Sequence, residues 1–193
     1  MLRLLHREKA GRPARVRWLL EEIGAPYEYV VMTAEEAASQ AHRARHPLGR
    51  VPVLETDDGF QFESTAICLQ LADMYPEAGL IPATGTFERG EVYTWSIFAM
   101  TEVEPYALRS WHAARAGAPD EELRKQSADR LAAVEDRLRG REFVVGERFT
   151  VADIVLGAVL LICRRVEQLP PNATLDGYLA RLDERPAKQR AYA

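Results

Sequence analysis

The sequence predicts an α/β unit followed by an all-helical bundle, and three observations carry that reading. Residues 1 to 77 alternate short apolar runs with one periodic helical pattern. Pro76 to Gly85 holds two prolines and two glycines and has no periodicity. Beyond it the apolar pattern takes the helical period and keeps it. The expected domains are therefore residues 1–77, a linker over 78–86 and a helical domain over 87–193.

In the first unit Leu2, Leu4 and Leu5 read as a short strand ending near His6, which suits a structural role. A loop holding Glu8, Lys9, Ala10, Gly11 and Arg12 follows, and Pro13 fits the first turn of a helix, where its missing N–H goes unneeded. Val16, Leu19, Leu20 and Ile23 recur at i, i+3, i+4 and i+7, giving one apolar face, and Gly24 is the stop signal. Tyr27 to Val31 resumes as a strand, completing a βαβ unit whose crossover is right-handed. A polar helix from Ala34 to about Ala44 leads into His46-Pro47-Leu48-Gly49. The alternation of Val51 and Val53, then of Phe60 and Phe62, marks two short strands. Thr56-Asp57-Asp58-Gly59 joins them, because Asp-Gly tolerates positive φ. Glu63-Ser64 then opens a helix running to about Tyr75, with Ser64 expected as its cap. The order is βαβαββα.

In the second unit Phe87 to about Trp111 carries Trp95, Phe98, Glu102 and Tyr106 at three-to-four spacing, and Pro105 is expected to bend or end the first segment. Asp120 to Arg139 reads as an amphipathic helix with acids in its first turn. Thr150 and Asp153 have capping-box spacing, with Phe149 and Ile154 placed as a hydrophobic staple. The helix they open is apolar on all sides through Cys163 except at Asp153, which predicts the buried axis of the bundle.

Composition narrows the function classes. With 193 residues, 47% of them hydrophobic, the chain suffices for one large domain or two small ones. A formal charge of −4 argues against a nucleic-acid surface. The first fifty residues carry nine basic against six acidic side chains, a local positive balance that suits an anionic ligand. Cys68 and Cys163 each sit in an apolar helical run and read as buried core thiols; no disulfide framework or metal spacing is present. No segment reaches the roughly 18 to 20 apolar residues of a membrane span, and MLRLLHREKAG is too short in apolar residues for a signal peptide, so a soluble, cytoplasmic protein without a membrane partner is expected.

The richest stretch is Gly49 to Leu71. Pro52 stands where a strand would donate a backbone hydrogen bond, and a proline cannot. That leaves the main chain of Val51 free to pair with something else, and a cis bond before Pro52 is the usual way to hold such a bend. The start of the following helix offers N–H groups to a carboxylate. Together these describe a site for a small anionic peptide, its main chain on Val51 and its carboxylate on Ser64.

This stretch resembles the glutathione site of the glutathione S-transferases, in which a Val followed by a cis-proline pairs with the cysteinyl backbone of glutathione and an acid-Ser pair at a helix start holds the γ-glutamyl group. The matching residues are Val51, Pro52, Glu63 and Ser64. The Thr150–Asp153 box resembles the family's C-terminal folding motif, and Tyr178 to Arg181 with Arg185-Pro186-Ala187 resembles its last helices. The resemblance implies a thioredoxin-like N-terminal domain with a mixed four-stranded sheet, an all-α C-terminal bundle, glutathione as co-substrate with no metal, a small electrophile, and a homodimer. It places Arg50 near the glycine carboxylate, a task His46 or Arg45 would also suit, and the electrophile on the helical domain, with Trp95, Phe98, Tyr106 and Trp111 as candidates.

The thiol of glutathione reacts as its thiolate. The family activates it with a Tyr, Ser or Cys in the first loop, and here that position falls on Ala10 or Gly11. No Ser, Thr, Tyr or Cys occurs from Met1 to Gly24. Three readings follow. Backbone N–H groups around Ala10, Gly11 and Arg12, with Lys9 or Arg12 as cation, stabilise the thiolate; or the site binds glutathione and catalyses conjugation poorly; or the fold is a non-catalytic module for ligands or partner proteins. The leading expectation is a glutathione transferase that adds the thiolate to a hydrophobic electrophile or uses it to reduce a peroxide.

Overall fold

The computed structural model describes residues 1–7 and 11–193. The chain divides into two compact units, Met1–Gly79 with Pro186–Ala193, and Leu80–Arg185.

The first unit runs β1 (Leu2–His6), α1 (Gly11–Ile23), β2 (Tyr27–Val31), α2 (Ala34–Ala38), α3 (Gln40–Arg45), β3 (Val53–Thr56), β4 (Gly59–Phe62) and α4 (Ser64–Met74). Its strands form a four-stranded mixed sheet in the order β2-β1-β3-β4. β1 pairs parallel with β2 and antiparallel with β3, and β3 pairs antiparallel with β4. Leu5 and Val53 join Met32 and Ala37 in one buried cluster. Leu4 and Leu54, the next residue on each strand, point to the opposite face and are also buried. The central strands are thus covered on both sides, which explains why Leu4-Leu5 reads as a continuous apolar pair rather than an alternation.

The polar helix expected from Ala34 to Ala44 is two helices. Ser39 is extended, with φ −66° and ψ 154°, and its hydroxyl serves both ends: it donates to the Glu36 carbonyl at 2.6 Å and accepts from the His42 N–H at 3.1 Å. A serine that closes one helix and caps the next breaks the run. α1 ends as expected, Gly24 standing at φ +74° with its N–H on the Leu20 carbonyl.

The last helix, α10 (Pro186–Tyr192), belongs to the first unit. Read along the sequence it continues the helical domain, but its side chains find partners on α1. Arg190 pairs with Glu21 at 2.7 Å, Arg17 donates to the Ala191 carbonyl at 3.2 Å, and Tyr192 meets Trp18 edge-on.

The second unit contains α5 (Phe87–Phe98), α6 (Glu104–Arg115), α7 (Glu121–Leu138), α8 (Val151–Arg165) and α9 (Ala173–Asp183). Pro105 does not end the first segment. Its ring crowds the carbonyl four residues back and it lacks an N–H, and a π turn over Ala99–Val103 absorbs the mismatch so that α5 passes into α6. Asp120 caps α7, accepting from the Leu123 N–H at 3.0 Å.

α8 is the axis of the unit, buried continuously from Val151 to Leu160. Its capping box is formed: Asp153 accepts from the Thr150 N–H at 2.9 Å and Thr150 accepts from the Ala152 N–H at 3.2 Å. Asp153 does more than cap. Its other oxygen takes the Val144 N–H and the Tyr178 hydroxyl, each at 2.9 Å, tying α8 to the preceding loop and to α9. Both cysteines are buried core residues. Among the described residues no helix is long and apolar enough to cross a membrane.

Candidate functional site

Three chain segments meet at one end of the sheet in the first unit. The β1–β3 ladder ends at the Leu5–Val53 pair, and the β3–β4 ladder ends at Val53–Phe62. The segment after β1, the approach to β3 and the exit from β4 into α4 therefore leave the sheet at the same edge. They carry the residues from Gly11, Val51 and Ser64 respectively.

The Val51–Pro52 bond is cis. Pro52 is buried and Val51 half-buried, its side chain against the Leu5–Val53 cluster. Val51 lies two residues beyond the ladder, and among the described residues its main chain meets no protein partner. An extended ligand has there a short strand edge to pair with.

The loop leading to Val51 is held by two histidines. His42, fully buried on α3, bonds through Nε2 to the Arg50 carbonyl at 2.9 Å. Since that carbonyl can only accept, Nε2 carries the hydrogen. His46 accepts the Leu48 N–H on Nδ1 at 3.1 Å and packs its ring on Phe62. Burial pushes the His46 pKa down, outweighing the pull of Glu63. His46 thus serves as a neutral support of the loop rather than as a cation for a carboxylate. Gly49 turns the loop at φ +61°, and a Cβ there would stand 3.3 Å from the Ala37 carbonyl oxygen. Arg50 is exposed.

At the head of α4 the structure corrects the expected cap. Ser64 is the first helical residue, not the N-cap; the cap position is Glu63, which makes no side-chain cap hydrogen bond. Glu63 holds φ 68° and ψ 102°, a left-handed backbone rare for a residue with a Cβ. The Ser64 hydroxyl is instead engaged from α1: Arg15 Nη1 donates to Ser64 Oγ at 2.9 Å, with Arg15 0% and Ser64 2% exposed. The Cys68 thiol, one turn on, faces the Arg15 carbonyl at 3.9 Å.

α1 runs from Gly11, and among the described residues its first turn holds no acidic side chain to oppose the positive helix end. Gly11 and Arg12 are both half-buried. Lys9 and Ala10, the other candidates for the thiolate, lie outside the described residues.

The four aromatic candidates lie in the second unit, all half-buried. Trp95 and Phe98 meet edge-on at 5.5 Å on α5. Arg137 and Arg130 of α7 cover Trp95 and Tyr106 respectively. Trp111 packs with His112 and Arg115 of its own helix. Trp95 and Tyr106 therefore have partners within the bundle.

Arg15 and His42 are the residues that sequence reasoning missed. Arg15 lies one position before the apolar helical face begins at Val16, and an isolated arginine there reads as solvated charge. His42 stands four residues before His46, the extended residue that ends α3, and that spacing is its one signal in the sequence.

Comparison with known proteins agrees with this geometry. Residues 13–79 match the glutathione S-transferase N-terminal domain and residues 94–186 the glutathione S-transferase C-terminal domain. The chain is 30% identical to glutathione S-transferase GstA of Escherichia coli O157:H7 over 77% of its own length and 75% of that protein. It is 35% identical to elongation factor 1-gamma of Trypanosoma cruzi, of which it spans only 31%. A sphingomonad glutathione S-transferase solved with glutathione superposes with a TM-score of 0.82 at 28% identity, over 98% of this chain and 96% of that one. A sheet edge beside a cis-proline, a serine at the head of α4 and the folding box of α8 agree with both domain matches: the chain belongs to the glutathione S-transferase family.

Proposed function

We propose that the protein binds glutathione at this sheet edge and transfers its thiolate to a small hydrophobic electrophile. One observation carries the reading: the free main chain of Val51 beside cis-Pro52 lies at the same edge as Ser64 at the open start of α4. The cysteinyl backbone pairs with Val51 as an added strand, and the γ-glutamyl carboxylate lies on Ser64 and the first N–H groups of α4, beside Glu63. Arg50, which is exposed, meets the glycine carboxylate in this reading. The sulfur then lies at the start of α1. With no Ser, Thr, Tyr or Cys from Met1 to Gly24, the Gly11 and Arg12 N–H groups, the helix dipole and the Arg12 guanidinium lower the thiol pKa; Lys9 and Ala10 directly precede them in the sequence. Of the aromatics, Phe98 is the better candidate for the electrophile, since arginines cover Trp95, Tyr106 and Trp111. The same thiolate suits reduction of a peroxide. A homodimer in the cytoplasm completes the reading; β4 is an edge strand, with Phe60 45% and Phe62 40% exposed.

A second reading, a binding module without catalysis, is favoured by the missing hydroxyl and by the elongation factor 1-gamma relatives. Titrating glutathione against tryptophan fluorescence tests the site, and no binding up to millimolar concentration rejects the proposal. Thiolate absorbance of bound glutathione against pH separates the readings. A bound thiol pKa below that of the free peptide supports transfer; an unchanged one leaves the binding module.

A further inference from the structure

We infer that Arg15 is a positioning residue that turns the Ser64 hydroxyl into a dedicated hydrogen-bond donor for a carboxylate. The inference rests on the glutathione reading of the site and names how it selects an anion.

A guanidinium only donates. At 2.9 Å from Arg15 Nη1, Ser64 Oγ is therefore the acceptor, and its own hydrogen must point elsewhere. Among the described residues no protein acceptor takes that hydrogen, and the neighbouring Thr65 Oγ1 is buried with no partner. A serine at a helix start ordinarily uses its oxygen to accept N–H groups of the first turn. Here α4 has no side-chain cap and no acid in its first turn. With the oxygen engaged by Arg15, the hydroxyl and the first N–H groups all present hydrogens. Such an array accepts a carboxylate and repels an ammonium or an amide N–H.

The hydrogen bond that buried Arg15 donates to Ser64 Oγ also strengthens the hydroxyl as a donor in turn.

The test compares glutathione with its analogue carrying an amide in place of the γ-glutamyl α-carboxylate, by fluorescence titration. The proteins are the native chain, Arg15→Gln, Arg15→Lys, Ser64→Ala and the double variants, each checked for fold by circular dichroism. The native chain is expected to prefer glutathione by at least tenfold. Arg15→Gln is expected to lose roughly 10- to 100-fold in affinity for glutathione, as for a charge-assisted hydrogen bond, and to lose most of the preference over the amide. In the Ser64→Ala background the same change is expected to matter less than about threefold, because its route through the hydroxyl is gone. Should Arg15→Gln not fold, Arg15→Lys, which keeps the charge without the fork, is judged by the same ratio. An unchanged preference in the Arg15 variants, or effects that add to those of Ser64→Ala, overturns the inference while leaving glutathione binding in place. No binding of either ligand by the native chain overturns the glutathione reading itself and this inference with it.

Discussion

Removing the Asp153 carboxylate tests the frame of the helical unit more sharply than any change at the candidate sheet edge. Asp153 is fully buried and accepts from Val144 N–H, Thr150 N–H and the Tyr178 hydroxyl, each at 2.9 Å. Asp153→Ala strands three buried donors, each worth about 1–3 kcal/mol when left without an acceptor. Partial relaxation makes the sum less than additive, so a loss of about 3–6 kcal/mol is expected, against a typical domain stability of about 5–15 kcal/mol. Tyr178→Phe strands nothing and removes one bond to the acid, so about 1–2 kcal/mol is expected.

The pH dependence adds a second arm. Burial pushes the Asp153 pKa up to about 6, despite the hydrogen bonds that hold it down. Above the unfolded value the folded state then binds more protons than the unfolded one, so this group's contribution to stability falls as pH rises from about 4 to about 6. A shift of about two units corresponds to about 3 kcal/mol across that window. Urea unfolding followed by circular dichroism, at pH 4.5 and pH 7, reads both arms; Asp153→Asn lacks the titration and should lose this component of the slope. A cost for Asp153→Ala below about 1 kcal/mol refutes the argument that this carboxylate ties α8 to its neighbours. An Asp153→Asn profile parallel to the native one refutes the titration.

Other expectations follow from the first unit. Ser64→Ala should weaken glutathione binding by about 1.5–3 kcal/mol, measured as a dissociation constant. Gly49→Ala forces a Cβ against the Ala37 carbonyl at positive φ and should cost about 1–3 kcal/mol in urea unfolding, with weaker glutathione binding as the Arg50–Pro52 segment shifts. Burial pushes both cysteine thiols up to about 12, so a thiol reagent at pH 8 should label neither in the folded protein and both in urea.

Local chemistry made much of this fold legible in sequence. The Asp-Gly turn, the Gly24 stop and the Thr150 box depend on residues within a few positions of each other, and each formed as read. What escaped depends on partners distant in the chain or on backbone detail. Ser39 splits a polar run because its hydroxyl is oriented to serve both helix ends, which composition does not reveal. A π turn carries the helix past Pro105, a backbone detail that the sequence leaves open between a bend and an end. At the candidate site, Val51 and Ser64 stand out in the sequence because a proline and a helix start are local signals. Arg15 was not, because its partner lies 49 residues away and only folding makes it a buried donor rather than a surface charge.

The docking of α10 on α1 makes the helical unit a closed excursion: the chain leaves the first unit after Gly79 and re-enters it at Pro186. Were that excursion a flexible loop of roughly a hundred residues, closing it would cost about 4 kcal/mol in chain entropy. A folded bundle fixes the separation of residues 80 and 185 and so presents α10 to α1 at a raised effective concentration. The Arg190–Glu21 and Arg17–Ala191 contacts then report on the state of a unit to which none of the four residues belongs. Loosening the bundle at Asp153 should therefore release α10 and expose Trp18, so that a defect in the helical unit registers as lost order along α1.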